Sequence, residues 1–230
     1  MKAQDSSKVL ETRATTVVWD LPVRIFHWVL VLLVVSQIVT ATIGGNAMEY
    51  HALGGYTILT LVLFRLLWGF AGGTHARFCD FLRGPAVVAR YAHMLIKGTA
   101  ATHRGHNPLG GWSVVLMLVS LLVQATTGLF ANDDVMMEGP LAKHVSGNVS
   151  TMFTAIHDIN AGILLTLVSL HILAVLFYLF RGKQDLIGPM FTGRKPIELT
   201  DARPPGTGSL WLAALLLGAS SLVVYLVITF

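Results

Sequence analysis

The chain has 230 residues, of which 54% are hydrophobic and only 12% are charged, whereas an average soluble domain is about a quarter charged. This is the composition of an integral membrane protein, and we interpret the net charge of +4 as a property of its loops rather than as a surface for nucleic acid. The single cysteine, Cys79, excludes an internal disulfide, a CxxCH haem attachment and a four-thiolate iron–sulfur cluster. Any redox cofactor must therefore use other ligands.

Five apolar runs reach the about 20 residues that a helix needs to cross the hydrocarbon core. They cover residues 23–43, 51–70, 111–130, 155–180 and 209–229. The first run follows a polar segment, residues 1–22, and is longer than the about 7 to 15 residues of a signal-peptide core, so we expect it to be retained. The pattern predicts an all-α integral membrane bundle in which residues 1–230 form a single membrane domain.

The segments between the runs carry further structural signals. The short connection at residues 44–50 predicts that the first two spans are antiparallel neighbours. Residues 84–97, GPAVVARYAHMLIK, have a proline at a helix-start position, which suits a helix at the membrane interface, although an ordinary polar connection is the alternative. DARPPGTGS at 201–209 breaks the helix before the fifth span. That span has neither charge nor histidine, so we interpret it as an anchor or packing helix.

Orientation follows from the loops, since loops rich in Lys and Arg stay in the cytoplasm. Fourteen of the 16 Lys and Arg residues fall in residues 1–24, 71–110 and 181–208, and only Lys143 lies in the loop joining spans three and four. We therefore expect a multi-pass protein of the bacterial inner membrane with a cytoplasmic N-terminus and a periplasmic C-terminus.

Of the nine histidines, five fall between the spans and four fall in or at the edge of a span. The four are His27, His51, His157 and His171. The predicted orientation places His51 and His157, the outer pair, toward the periplasm. It places His27 and His171, the inner pair, toward the cytoplasm. His157 and His171 are fourteen residues apart, about 21 Å along one helix and nearly on the same face.

Two facing imidazoles in an apolar bundle predict a haem at each level, because haem iron accepts one nitrogen on each face of its macrocycle. Glycines would let the ring approach the backbone, and Gly54, Gly55 and Gly162 follow His51 and His157 closely. A zinc or copper site is the alternative, but two histidines alone would leave its coordination shell incomplete. Asp158 is a candidate hydrogen-bond partner of His157.

Arg65 is the only obligately charged side chain inside a span, at the expected depth of His171. An arginine at that depth needs a partner. A haem propionate would provide one, and Arg24 beside His27 could pair in the same way. The alternative for Arg65 is an extended side chain that reaches the cytoplasmic interface.

Several motifs together resemble the bacterial cytochrome b561 family, close to the cytochrome b subunit of nickel–iron hydrogenases. They are LPVRIFHW (21–28), YHALGGY (50–56), GHNPLGGW (105–112) and IHDINAGILLTLVSLHI (156–172), in this order. The resemblance implies a four-helix core that holds two haem b groups and transfers electrons across the membrane between a periplasmic partner and the quinone pool. The implied ligands are His27, His51, His157 and His171.

The fifth span and the short first outer loop depart from the hydrogenase-subunit pattern. A hydrogenase, a periplasmic c-type cytochrome and another oxidoreductase are therefore all candidate partners, and a homodimer is a candidate assembly. His106 and Asn107, at the start of span three, could hydrogen-bond a quinone, or Asn107 and Pro108 could simply start a helix.

Two other function classes compete with an electron conduit. A superoxide oxidase that feeds electrons to quinone would belong to the same family, but the acidic residues Asp133, Asp134 and Glu138 near the outer mouth would repel the anion. A non-haem metal transporter would need a histidine-rich or acidic path through the membrane, and the spans carry none.

Overall fold

The computed structural model describes residues 15–101, 103, 105–132, 137–182, 184–196 and 206–230. Most of these residues are in helices. The α-helices within these residues are α1 (Leu21–Ile43), α2 (Ala47–Ala71), α3 (Phe78–Phe81), α4 (Pro85–Ile96), α5 (Pro108–Gly128), α6 (Gly147–Phe180), α7 (Ile187–Thr192) and α8 (Leu210–Thr229). Two single 3₁₀ turns, Thr74–Ala76 and Ala142–His144, lie between them. Helices α1, α2, α5, α6 and α8 are long and apolar enough to cross a membrane, so the predicted all-α membrane bundle is confirmed.

Helix α6 begins eight residues before the predicted start of the fourth span. Its first turns are polar, and hydropathy alone therefore did not include them. The Ser150 hydroxyl donates to the Phe130 carbonyl at 2.8 Å, and the Thr154 hydroxyl accepts from the Asn132 backbone N–H at 3.0 Å. With 34 residues the helix is about 51 Å long, whereas the hydrocarbon core is about 30 Å thick.

Two helices start at side-chain caps, of which the one at Asn107 was a sequence-based alternative. The Asp20 carboxylate accepts from the Val23 N–H at 3.1 Å at the start of α1, and the Asn107 amide oxygen accepts from the Gly110 N–H at 2.8 Å at the start of α5. Each cap satisfies a backbone donor that would otherwise lack a partner in the first turn. Residues 85–96 form the predicted helix α4, and its buried Tyr91 contacts the Tyr178 hydroxyl of α6 at 3.2 Å.

A small β-ladder was not predicted from the sequence. Strand β1 (Thr15–Val17) pairs antiparallel with β2 (Arg194–Pro196), and so joins the segment before α1 to the segment after α7. Three-residue strands carry too little alternation to be recognised by pattern.

Helix α2 is at the centre of the bundle, packed against α1, α5 and α8. Its Val62 and Trp68 side chains are completely buried. Gly44 and Gly45, both at positive φ, reverse the chain between α1 and α2, a conformation that glycine adopts without steric cost. Helix α6 packs against α5. Between α1 and α6, whose residues are all described by the structure, there is no extensive contact. The space between the α1–α2 and α5–α6 pairs is where the four span histidines are found.

Candidate haem site

The outer pair, His51 on α2 and His157 on α6, has ring centres 6.3 Å apart. A metal held by both rings through a nitrogen would place their centres about 6 Å apart, since each metal–nitrogen bond would be about 2 Å and the ring centre lies about 1 Å behind the nitrogen. The rings are inclined at 70° to each other, which such a pair would tolerate because each ring could rotate about its own bond to the metal. This geometry fits one metal centre between the two rings.

The Nδ1 atom of each outer histidine has polar partners on the neighbouring helix. His51 Nδ1 lies 3.2 Å from the Gln37 carbonyl oxygen and 3.2 Å from the Thr40 hydroxyl on α1. His157 Nδ1 lies 2.9 Å from the Gln124 carbonyl oxygen and 3.3 Å from Thr127 Oγ1 on α5. A carbonyl can only accept, so Nδ1 carries the proton in each ring, and Nε2 keeps its lone pair for a metal.

The expectation that Asp158 is a partner of His157 is wrong. Asp158 is exposed on the surface of α6, and the partners of the ring are the Gln124 carbonyl and Thr127. Asp158 follows its histidine by a single residue, so it points about 100° away around the helix.

The glycines near the outer pair differ in their surroundings. A Cβ at Gly55 or Gly162 would meet no other atom within 4 Å, and the close approach of a haem to these two positions stays a prediction. A Cβ at Gly54 would clash with the Gln37 side chain, and Gly54 therefore lets α1 approach α2. Gly128, which the sequence did not single out, lies against the His157 ring, since a Cβ there would be 3.1 Å from its Cε1.

The inner pair, His27 on α1 and His171 on α6, lies close enough for the two rings to interact electrostatically. His27 Nδ1 is buried and has no hydrogen-bond partner, and a buried polar atom without a partner is rare in folded proteins. The pair therefore differs from the outer one, where both Nδ1 atoms are hydrogen-bonded.

Arg65 is buried, with 3% of its surface exposed, so its guanidinium does not reach water. Its guanidinium is 5.4 Å from the centre of the Phe78 ring, and one terminal nitrogen, NH1, is buried without a partner. An uncompensated buried charge is strongly unfavourable. A carboxylate from a bound group would satisfy it, which fits a haem propionate better than the alternative of a side chain that reaches water.

Arg24 is partly committed to another contact. One terminal nitrogen donates to the Phe191 carbonyl of α7, which ties α7 to the start of α1, while Nε is buried without a partner. The adjacent Trp28 stacks on the Phe191 ring at 4.3 Å. Arg24 therefore has at most part of its donor set available for a propionate.

Of the two candidate quinone residues, Asn107 is occupied by structural contacts. Besides capping α5, it donates to the Tyr178 hydroxyl at 3.0 Å. His106 packs between the Trp19 and Phe81 rings, 4.6 and 4.7 Å away, and its Nδ1 is buried without a partner. Burial, with Arg65 as the next largest cause, lowers the pKa of His106 to about 3, so the ring is neutral at ordinary pH and Nδ1 is available to a ligand.

Each level therefore presents two histidines that could hold a metal, and among the described residues no three His, Cys, Asp or Glu side chains cluster as a metal site would require. A macrocycle that supplies the remaining ligands fits this donor set, as haem does. The Gln–x–x–Thr partners of the outer histidines were missed in the sequence, although the spacing occurs twice, at 37–40 and 124–127.

Comparisons with known proteins identify the family of this chain. The family model described as prokaryotic cytochrome b561 matches residues 18–193. Two proteins described as probable Ni/Fe-hydrogenase B-type cytochrome subunits, from Azotobacter chroococcum mcd 1 and Azotobacter vinelandii, are each 23% identical to this chain, with 89% of this chain and 97% of the relative covered. No solved structure matches. Since the family match covers well over half of the chain and includes all four span histidines, the chain belongs to the prokaryotic cytochrome b561 family and is a multi-pass, b-type electron-transfer cytochrome of the membrane.

Proposed function

We propose that this cytochrome binds two haem b groups, one between His51 and His157 and one between His27 and His171, and transfers electrons across the membrane. The observation that carries the proposal is the outer pair, with ring centres 6.3 Å apart and both Nδ1 atoms hydrogen-bonded to carbonyls. Haem would supply reversible one-electron chemistry at each level. The protein fixes the ligands, excludes water and sets the distance between the levels.

The inner site rests on the juxtaposition of His27 and His171 and on a buried charge that lacks a partner. His171 acts electrostatically on His27, and Arg65 NH1, buried and unpaired, would bind a propionate through a charge-assisted hydrogen bond. His171 is fourteen residues from His157 on the same helix, so the two sites are about 21 Å apart along α6. That separation spans most of the about 30 Å hydrocarbon core.

The proposed orientation indicates which redox partner each haem site would face. With the Lys- and Arg-rich loops in the cytoplasm, the outer site faces the periplasm of a bacterial inner membrane and a protein partner there. The relatives described as hydrogenase cytochrome subunits favour a hydrogenase as this partner, with a c-type cytochrome or another oxidoreductase as the alternative. At the inner site, His106 is the residue that we assign to a quinone carbonyl.

The first test is the haem content of the purified protein. Reduced-minus-oxidised spectra should show b-type haem at two per chain. His157→Ala should remove the haem of the outer site and leave the inner one, whereas His171→Ala should remove only the inner one. His93→Ala, exposed on α4, is the matched control and should keep both.

Two results would contradict the proposal. One is a haem-replete preparation with a single haem per chain, and the other is loss of the opposite haem in the two variants. Haem reduction by superoxide without any protein partner would instead favour the superoxide oxidase alternative. Asp133 and Asp134, two of the acidic residues expected to repel superoxide, lie outside the described residues.

A further inference from the structure

The outer histidines are bound by the same short motif on two different helices. On α1, the carbonyl of Gln37 and the hydroxyl of Thr40 face His51, and on α5, the carbonyl of Gln124 and the hydroxyl of Thr127 face His157. In both cases the threonine follows the glutamine by three residues, so both groups lie on one face of the helix. We name these two motifs the Gln–Thr clamps.

The threonine hydroxyls are oriented to accept. Thr40 Oγ1 donates its proton to the Ser36 carbonyl at 2.7 Å, and Thr127 Oγ1 donates to the Val123 carbonyl at 2.7 Å. Each hydroxyl has one proton and free lone pairs, so the oxygen can accept the Nδ1–H of the histidine. Each ring proton is thus shared between a carbonyl and a hydroxyl oxygen.

A hydrogen bond from Nδ1–H makes Nε2 a stronger electron donor, because it raises the basicity of the ligand. A stronger donor stabilises the ferric state more than the ferrous state and so lowers the midpoint potential. Such hydrogen bonds are one of the means by which proteins tune haem. At the inner level, His27 Nδ1 has no corresponding partner.

We propose that Thr40 and Thr127 are paired positioning residues that lower the midpoint potential of the haem held by His51 and His157. The inference rests on the proposed function, since it requires a haem at the outer site. The Gln37 and Gln124 carbonyls belong to the backbone and remain in any variant, so each histidine keeps one acceptor and its tautomer when a threonine hydroxyl is removed.

The test replaces each threonine by valine, which has the same shape and no hydroxyl. Thr40→Val and Thr127→Val should each raise the outer midpoint, so that the ratio of reduced to oxidised haem at a fixed potential rises about threefold, about 30 mV for a one-electron couple. The double variant should show about the sum of the two shifts. The inner midpoint should not move in any of them, and Thr40→Ser and Thr127→Ser should restore the original value.

Neighbouring threonines on the same helices provide matched controls. Thr42 donates to the Ile38 carbonyl at 2.7 Å, and Thr126 donates to the Leu122 carbonyl at 2.6 Å, both within their own helix. Thr42→Val and Thr126→Val therefore change the helix surface in the same way without removing a histidine partner. Their outer midpoints should equal that of the unchanged protein.

The outcomes separate this inference from the proposed function. Two haems per chain with an outer midpoint that does not respond to either valine would overturn the role of the clamps alone, whereas absence of the outer haem from the unchanged protein would overturn the proposed function. If a valine variant loses its outer haem, a serine variant that keeps the haem at the original midpoint would still support the hydroxyl, and a serine variant with a shifted midpoint would overturn it.

Discussion

At the scale of single residues, Arg65 shows how a charge inside an apolar bundle indicates a bound group. Its guanidinium is almost completely buried, with one nitrogen unpaired, and Asp20 influences it only from a distance. Asp20 itself accepts from the Trp68 ring N–H at 3.1 Å and from the Gly73 N–H at 3.2 Å. Among the described residues no carboxylate pairs with Arg65, so its charge is left for an anion from a bound group.

Replacing Arg65 by methionine should affect the haem-free and the haem-loaded protein in opposite directions. Without haem, the change removes an unpaired buried charge and should leave stability equal or increase it. With haem, it should weaken retention of the inner haem by about 1.5 to 3 kcal/mol, the contribution of a hydrogen bond to a charged group. Thermal unfolding of both forms and haem titration measure this. Arg90→Met, exposed on α4, is the control, and equal effects of Arg65→Met on both forms would contradict the assignment.

His106 should make the fold sensitive to acid. Its folded-state pKa of about 3 is below the unfolded value of about 6.5, so the unfolded chain binds more protons as the pH falls. The contribution of neutral His106 to the free energy of unfolding is therefore fully present above about pH 6.5. It is lost as the pH falls toward 3, by at most about 1.4 kcal/mol per pH unit. In haem-free protein, His106→Leu should reduce the slope of unfolding free energy against pH between pH 4 and 6.5 by up to about one proton, while His93→Leu should not. An unchanged pH profile in His106→Leu would show that His106 is not the responsible group.

At the scale of elements, contacts between helices explain the position of each ligand. Asn160, one turn after His157 on α6, donates to the Gln124 side-chain oxygen at 2.7 Å and to the Ser120 carbonyl at 2.9 Å. This buried network fixes α6 against α5 at the level where Gln124 also contacts His157. A buried network whose hydrogen bonds are all satisfied favours one register between two helices. The apolar contacts between the same helices are not directional and would permit other registers.

The segment after α6 is joined to α1 through a turn at Gly193. Its φ of 78° is in the left-handed region, and its carbonyl accepts from the Val18 N–H at 2.8 Å. A Cβ there would lie 2.9 Å from the Trp19 carbonyl oxygen. Gly193→Ala should therefore destabilise the protein by at least about 1 to 2 kcal/mol, the left-handed penalty alone.

Thermal unfolding in detergent measures that loss. Gly218→Ala is the control, because Gly218 is inside α8 and a Cβ there would meet nothing within 4 Å. Alanine in an open helix interior should stabilise by about 0.5 to 1 kcal/mol. A neutral result for Gly193→Ala would mean that the turn is not under this constraint.

At the scale of the whole molecule, the bundle consists of two helix pairs and an added helix. The pairs α1–α2 and α5–α6 each contribute one Gln–Thr clamp and one outer histidine, while α8 packs on α2 through Ala213 and Val224 and carries no histidine. The large apolar side chains on the outside of the bundle, such as Leu32 and Leu215, face lipid in the membrane.

The proposed orientation is testable with reporters fused to the chain. An alkaline phosphatase domain after Phe230 should be active, since it folds only in the periplasm, whereas the same domain after Gly182 should be inactive. The reason is the concentration of Lys and Arg in residues 181–208, which favours the cytoplasm. A green fluorescent protein at the same two positions is the reciprocal control, and the opposite pattern would invert both proposed haem levels.

The sequence by itself determined the number of spans and the all-helical class, because hydropathy over about 20 residues is a local quantity. It also led to the prediction of four histidine ligands, through the distribution of loop charge. Only the tertiary structure decided which atoms contact the rings. The acceptors of His51 and His157 are backbone carbonyls and threonines on other helices, and Asp158, the neighbour in sequence, points away. The β1–β2 ladder and the burial of Arg65 likewise depend on segments far apart in the chain. Such contacts are fixed by how closely and in what register helices pack, which a linear pattern does not encode.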